Sequence, residues 1–165
     1  MNNQIKNSKL VLFVILFYSV IFLCLSTNSF AQHRKYTESD MPKAVMDTFH
    51  KLYPNAMATG FDMEHENGIT YFELESTEGS INRDFLFYED GTIAEIEESI
   101  LPDDLPDDVK NAISNKYPGK IILKAEKVTK GKSVVYDVEI KAKKKKRDLV
   151  IGTDGSIISD NKIKK

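Results

Sequence analysis

The sequence predicts an α+β fold of two tandem helix-plus-antiparallel-sheet repeats, expected to share one continuous sheet with both helices on a single face. Three observations predict it. The chain matches itself without gaps at an offset of 64, with ten identical pairs in 54 aligned positions, against about three for random pairing at average composition. Each copy opens with a short amphipathic pattern that stops at Tyr-Pro. Alternating apolar and polar runs, separated by Asn-Gly, Lys-Gly and Asp-Gly turns, then follow in both.

The identical pairs are Asp40/Asp104, Pro42/Pro106, Val45/Val109, Tyr53/Tyr117, Pro54/Pro118, Glu75/Glu139, Arg83/Arg147, Asp84/Asp148, Asp90/Asp154 and Gly91/Gly155. Before the first copy, Leu10 to Leu25 is a run of sixteen residues without a charge, preceded by Lys6 and Lys9. With small residues at Ser29 and Ala31, this is the pattern of a secretory signal peptide, and cleavage is expected after Ala31. A bilayer crossing needs roughly 20 apolar residues, so the run is too short for an anchor. The expected organisation is therefore a cleaved signal peptide over 1–31, repeat one over 32–99 and repeat two over 100–165. Cys24, the only cysteine, lies inside the apolar run after Leu23, a residue too large for a lipidation signal. The exported chain then carries no disulfide and no thiolate chemistry.

In each copy Pro42 or Pro106 suits the first helical turn, where a missing N–H costs nothing, and Asp40 or Asp104 suits the positive helix end. Val45, Phe49 and Leu52 fall on one face, as do Val109 and Ile113, with Lys116 at the third position of the second copy. Proline restricts the residue before it, so both helices are expected to end at Tyr53 and Tyr117. Phe61 and Met63 alternate with Asp62, Glu64 and Glu66 up to Asn67-Gly68, a hairpin signal because both residues accept positive φ. The next strand places Thr70, Phe72 and Leu74 on one face and Tyr71, Glu73 and Glu75 on the other. Arg83 to Tyr88 and Thr92 to Glu97 complete copy one, and copy two repeats the order through Val134–Ile140, Arg147–Ile151 and Asp154-Gly155. Ser99 to Leu105 connects the two.

The order Met41-Pro42, Val45, Tyr53-Pro54, Tyr71 to Glu75, Arg83 to Phe87 and Asp90-Gly91 returns as Leu105-Pro106, Val109, Tyr117-Pro118, Tyr136 to Glu139 and Asp154-Gly155. In this it resembles the PepSY-like, β-lactamase-inhibitor-like family of exported proteins common in Bacteroidetes. The resemblance covers nearly all of the chain beyond the signal peptide. It implies tandem helix-plus-sheet units, no catalytic activity and a periplasmic or outer-surface location.

The candidate chemistry is sparse. His33, His50 and His65 have no zinc-site spacing, and the acidic run Asp103, Asp104, Asp107, Asp108 lacks a calcium-loop ligand ladder. No metal and no cofactor is expected. There is no Gly-x-Ser-x-Gly, His-Glu-x-x-His or phosphate-cradling glycine loop, so the chain is not expected to be an enzyme. Asp84, Asp148, Glu75 and Glu139 are expected to pair across strands with Arg83 and Arg147.

Charge is unevenly divided. From Met41 to Ser99 there are 3 basic and 13 acidic residues, a balance of −10, and from Ile100 to Lys165 there are 16 and 10, a balance of +6. Lys143, Lys144, Lys145, Lys146 and Arg147 form the densest patch, at an expected hairpin tip. Tyr71, Leu86 and Tyr88 are placed either on an open sheet face or in the core. On the first placement the chain is a non-catalytic binding or inhibitory module that engages an envelope or secreted protein or peptide through that face. The alternative is a protein that acts through the lysine patch on anionic envelope surfaces, or through its acidic clusters on cations. Export leaves nucleic acid outside the expected partners.

Overall fold

The computed structural model describes residues 36–163. The expected signal peptide, its cleavage site and Cys24 lie outside the described residues. A short 3-10 turn, Glu38–Asp40, leads into helix α1, Lys43–Leu52. Strands β1 Met57–Glu66, β2 Ile69–Glu78, β3 Ile81–Phe87 and β4 Ile93–Ser99 follow. After a second 3-10 turn, Pro102–Asp104, helix α2 spans Asp107–Lys116. Strands β5 Ile121–Lys130, β6 Ser133–Ala142, β7 Lys145–Gly152 and β8 Ile157–Lys162 complete the chain. The strands form one eight-stranded sheet in the order β1 to β8, each antiparallel to the next. The architecture is α+β, and every strand-to-strand link but one is a tight turn. The exception is the segment carrying α2, between β4 and β5.

The helices form because each has an apolar stripe that needs covering and a proline that sets its start. Pro42 and Pro106 stand at the N-cap, one position before the first turn. No side chain caps either helix. Asp40 instead accepts a hydrogen bond from the Thr37 backbone N–H at 2.9 Å, closing the 3-10 turn that precedes α1. Val45 and Phe49 are fully buried, as are Val109 and Ile113. Leu52 is 52% exposed, contrary to its expected place on the buried face. It lies in the last turn of α1, where the chain turns away at Tyr53, and Met46 joins the buried stripe instead.

Two side-chain clusters make the core, both on the helix side of the sheet. Val45, Met46 and Phe49 pack on Phe72, Leu74, Phe85 and Phe87. Val109 and Ile113 pack on Val138, Ile140, Leu149 and Ile151. Register places both on the same side: Phe85 pairs with Ile96, Ile96 with Thr129, and Ala125, two pleats from Thr129, pairs with Val138. Bulges interrupt the ladder between Ala58 and Gly60, Leu86 and Phe87, Ile122 and Lys124, and Val150 and Ile151. Each bends its strand and sharpens the sheet's twist. Val150, which points away from the helices, is only 1% exposed.

Candidate functional site

Strand alternation decides which side chains line the face away from the helices. With Phe72 and Leu74 committed to the core, Tyr71, Glu73 and Glu75 of β2 point to the other side. Across the strands Asp62 pairs with Glu73, Glu73 with Leu86 and Leu86 with Glu95. One row along, Glu75 pairs with Asp84, Asp84 with Glu97 and Glu97 with Val128. Tyr71 lies opposite Glu64, and its ring centroid is 5.4 Å from that of Tyr88, tilted by 39°. Tyr88 is 37% exposed. The structure therefore brings Tyr71, Leu86 and Tyr88 to one side, uncovered by either helix, as an aromatic pair with an aliphatic side chain set between two carboxylates.

The rest of that surface is acidic. Eight carboxylates, Asp62, Glu64, Glu66, Glu73, Glu75, Asp84, Glu95 and Glu97, share the face over β1 to β4. Arg83 is the only Lys or Arg between Met57 and Ser99, and it points to the helix side. Countercharge comes from β5, where Lys130 meets Glu95 at 3.2 Å and Lys124 meets Glu126 at 2.7 Å. Burial, followed by repulsion from Glu64, Asp62, Asp84 and Glu75, pushes the Glu73 carboxyl up to about 7. Glu97 rises to about 8, through burial and then Glu126, Glu95, Asp137 and Asp84. Glu64 and Asp84 are also raised, chiefly by desolvation. Toward the β1 edge the face ends in a cleft of about 470 Å³ between Tyr36, Gly60 and Glu75.

The lysine run occupies the β6–β7 hairpin. Lys143, Lys144, Lys145 and Lys146 are all exposed. Arg147 does not join them. It faces the helix side, where its Nε donates to Asp160 at 2.6 Å and its guanidinium lies 5.3 Å from the Tyr117 ring centroid. Lys116 also reaches Asp160, at 2.7 Å. Arg83 is likewise placed on the helix side, pairing with Glu98 and Glu78 at 2.6 and 2.9 Å rather than with Asp84 or Glu75. The expected Arg–Asp pairing fails because adjacent residues of a strand point to opposite faces.

Sequence reasoning placed Glu73 beside Tyr71 and read Glu97 as part of an acidic run with Glu95 and Glu98, but gave neither a site role. The available signal was the absence of any base but Arg83 across four strands, together with the period-2 pattern that stacks their acids on one face. Among the described residues no group of three or more His, Cys, Asp or Glu side chains is arranged to hold a metal ion. No described helix is long and apolar enough to cross a membrane.

No protein-family model and no curated protein matches the chain. Solved structures do. A DUF2874 family protein from Bacteroides uniformis superposes with a TM-score of 0.60 at 20% identity, covering 73% of this chain and 88% of that one. A BLIP-like protein from Bacteroides fragilis gives 0.59 at 20% identity, covering 74% and 86%. A protein from Bacteroides eggerthii, provisionally assigned to the periplasm, gives 0.62 at 15% identity, covering 74% and 89%. The chain has the fold of these BLIP-like and DUF2874 proteins.

Proposed function

We propose that the chain is an exported, non-catalytic binding module, built from two copies of one unit, that engages a protein or peptide through the uncovered sheet face of β1 to β4. Export rests on the N-terminal signal pattern, with cleavage after Ala31, and the periplasmic assignment of a protein with the same fold agrees with it. The absence of catalytic motifs from the sequence and the kinship of fold with BLIP-like proteins favour binding over turnover.

Duplication, with units over 32–99 and 100–165, is supported by features that recur at the same offset of 64. The bulges at Ala58/Gly60 and Leu86/Phe87 return at Ile122/Lys124 and Val150/Ile151. Tyr53 lies under Arg83 as Tyr117 lies under Arg147.

The observation that carries the binding reading is the Tyr71–Tyr88 pair beside Leu86, large side chains on a face that neither helix covers. Tyr88 is exposed and Tyr71 and Leu86 are half-buried beside it, and aromatic groups that stay accessible on a surface anchor protein interfaces. A photo-crosslinking residue placed at 71, 86 or 88 is expected to capture an envelope or secreted protein in living cells, and one at 47 or 111 on the helices is not. Equal yields from both sets would overturn the reading.

A second reading, association with anionic envelope surfaces, is favoured by the four exposed lysines of the β6–β7 hairpin. Replacing Lys143, Lys144, Lys145 and Lys146 by Gln is expected to abolish salt-sensitive binding to phosphatidylglycerol vesicles. Unchanged binding counts against it.

A further inference from the structure

The β6–β7 hairpin breaks two local rules. Ala142 pairs with Lys145, leaving Lys143 and Lys144 as a two-residue turn, and Lys143 sits at φ +58°, the left-handed region. The β2–β3 hairpin, between the paired Glu78 and Ile81, has the same geometry, with Gly79 at φ +62°. Gly79 and Lys143 stand 64 residues apart. Glycine is the residue that adopts this conformation without steric cost, and a β-carbon there is unfavourable by roughly 1 kcal/mol. The second rule concerns charge. Lys141 pairs directly with Lys146, and like charges facing each other across strands repel. Lys146 finds Glu139 at 2.6 Å, which answers one positive charge in the tip. A hairpin optimised for stability alone would carry neither feature, and local rules are broken where function requires it.

The complement of this tip is on the same molecule's other half. The face of β1 to β4 carries eight acidic side chains and no Lys or Arg, and because Glu97 is largely and Glu73 partly protonated at neutral pH, the other six supply most of its negative charge. Its Tyr71–Tyr88 pair adds aromatic rings, which attract ammonium groups. Both surfaces are present in every copy, so each molecule offers a donor tip and an acceptor face.

We propose that the Lys143–Lys146 tip of one copy docks on the acidic β1–β4 face of a second copy, giving a head-to-tail contact between molecules of this chain. The proposal rests on the reading of that face as a docking surface and names its occupant. The contact is heterologous, so it propagates into rings or filaments and does not stop at a twofold dimer. Its attraction is between exposed charges and weakens with added salt.

Sedimentation velocity of the purified protein in about 20 mM and about 500 mM salt tests it, the Debye length falling severalfold between the two. Association is expected at low salt and monomer at high salt. Lys144→Glu with Lys145→Glu cancels the charge of the tip, and Glu64→Lys with Glu66→Lys places two cations on the face. Each double variant alone is expected to associate at least tenfold more weakly, and the two mixed are expected to recover a one-to-one contact, because the intact tip of the face variant then meets the intact face of the tip variant. Circular dichroism checks that both variants are folded, and recovery on mixing cannot come from misfolded protein. Monomeric wild-type protein at low salt, or association unaffected in both double variants, would overturn the proposal. So would tip-dependent binding to phosphatidylglycerol vesicles without self-association. Crosslinking from positions 71, 86 and 88 to a different protein, with wild-type monomer at low salt, sinks this inference and leaves the binding reading standing. The loss of all crosslinks from that face sinks the binding reading itself.

Discussion

The Arg83 guanidinium lies 5.0 Å from the centroid of the Tyr53 ring, at the point where α1 ends and the chain enters the sheet. Tyr53 closes the helix with its N–H on the Phe49 carbonyl at 2.8 Å, and its ring packs edge-on against Phe85. The arginine above it is almost wholly buried and held by Glu98 and Glu78. The Tyr-Pro that stops the helix thus also fixes helix to sheet, through a stacked cation whose charge is answered by two carboxylates. Tyr117 and Arg147 do the same at α2, with Asp160 as the partner carboxylate.

Arg83→Met is expected to destabilise the protein by about 3 kcal/mol, since it leaves two partly buried carboxylates without their partner. Arg83→Lys should recover less than half of this, because an ammonium cannot fork to two carboxylates while stacking on a ring. Urea denaturation, with an unchanged m-value, measures both. Equal stability of the Met variant and wild type would show that the pair contributes nothing net.

Gly91 and Gly155 are required for two reasons at once. Their φ values are +81° and +77°, and a β-carbon at Gly155 would sit 2.7 Å from the Asp108 carbonyl oxygen. At Gly91 it would collide with the carbonyl of Ala44, the residue that stands 64 before Asp108. Gly119 has a similar φ of +71° with open space around it. Gly119→Ala should cost about 1 kcal/mol from backbone conformation alone, and Gly91→Ala or Gly155→Ala at least twice that. Matching thermal shifts for the three variants would refute the close-approach argument.

Lys143→Gly is expected to stabilise the chain by about 1 kcal/mol, a rise of a few degrees in Tm, by relieving the left-handed β-carbon and one positive charge. The same change at Lys144 should do much less. A fall in Tm for Lys143→Gly would mean that this lysine contributes to the fold.

Glu97 titrates near 8 in the folded protein, against 4.5 for an unperturbed group, among Asp84, Glu95, Glu126 and Asp137. A raised carboxyl favours the folded state while protonated, so its contribution is fully present below about pH 4.5 and is lost as pH rises toward 8. Glu73, near 7, acts in the same direction. Glu97→Gln should match wild type at pH 4.5 and exceed it by about 2–4 kcal/mol at pH 8.5. Thermal melts across this range check the slope, and parallel curves for the two proteins would contradict the burial argument.

Much of this molecule was legible in order along the chain. Val45 with Phe49, the stops at Tyr53-Pro54 and Tyr117-Pro118, the Asn67-Gly68 turn and the alternation from Thr70 to Glu75 are local signals, and local sterics and periodicity act over a few residues. The misplacement of Leu52 and the wrong partners for Arg83 and Arg147 share a cause. Both depended on where a neighbouring element lies and which carboxylate it presents, and residues 15 apart, such as Arg83 and Glu98, meet only once strands pair.

By itself the sequence determined the α+β class, the order of helices and strands and the unequal charge of the two halves, because dihedral preferences and a two-residue pleat are properties of short segments. Only the tertiary structure decided that β4 joins β5, that eight carboxylates gather beside Tyr71 and Tyr88 without an arginine among them, and that Lys143 occupies a glycine's conformation. Register and curvature arise from packing distant segments on one core, and it is that packing which removes water from Glu73 and Glu97 and sets their charge.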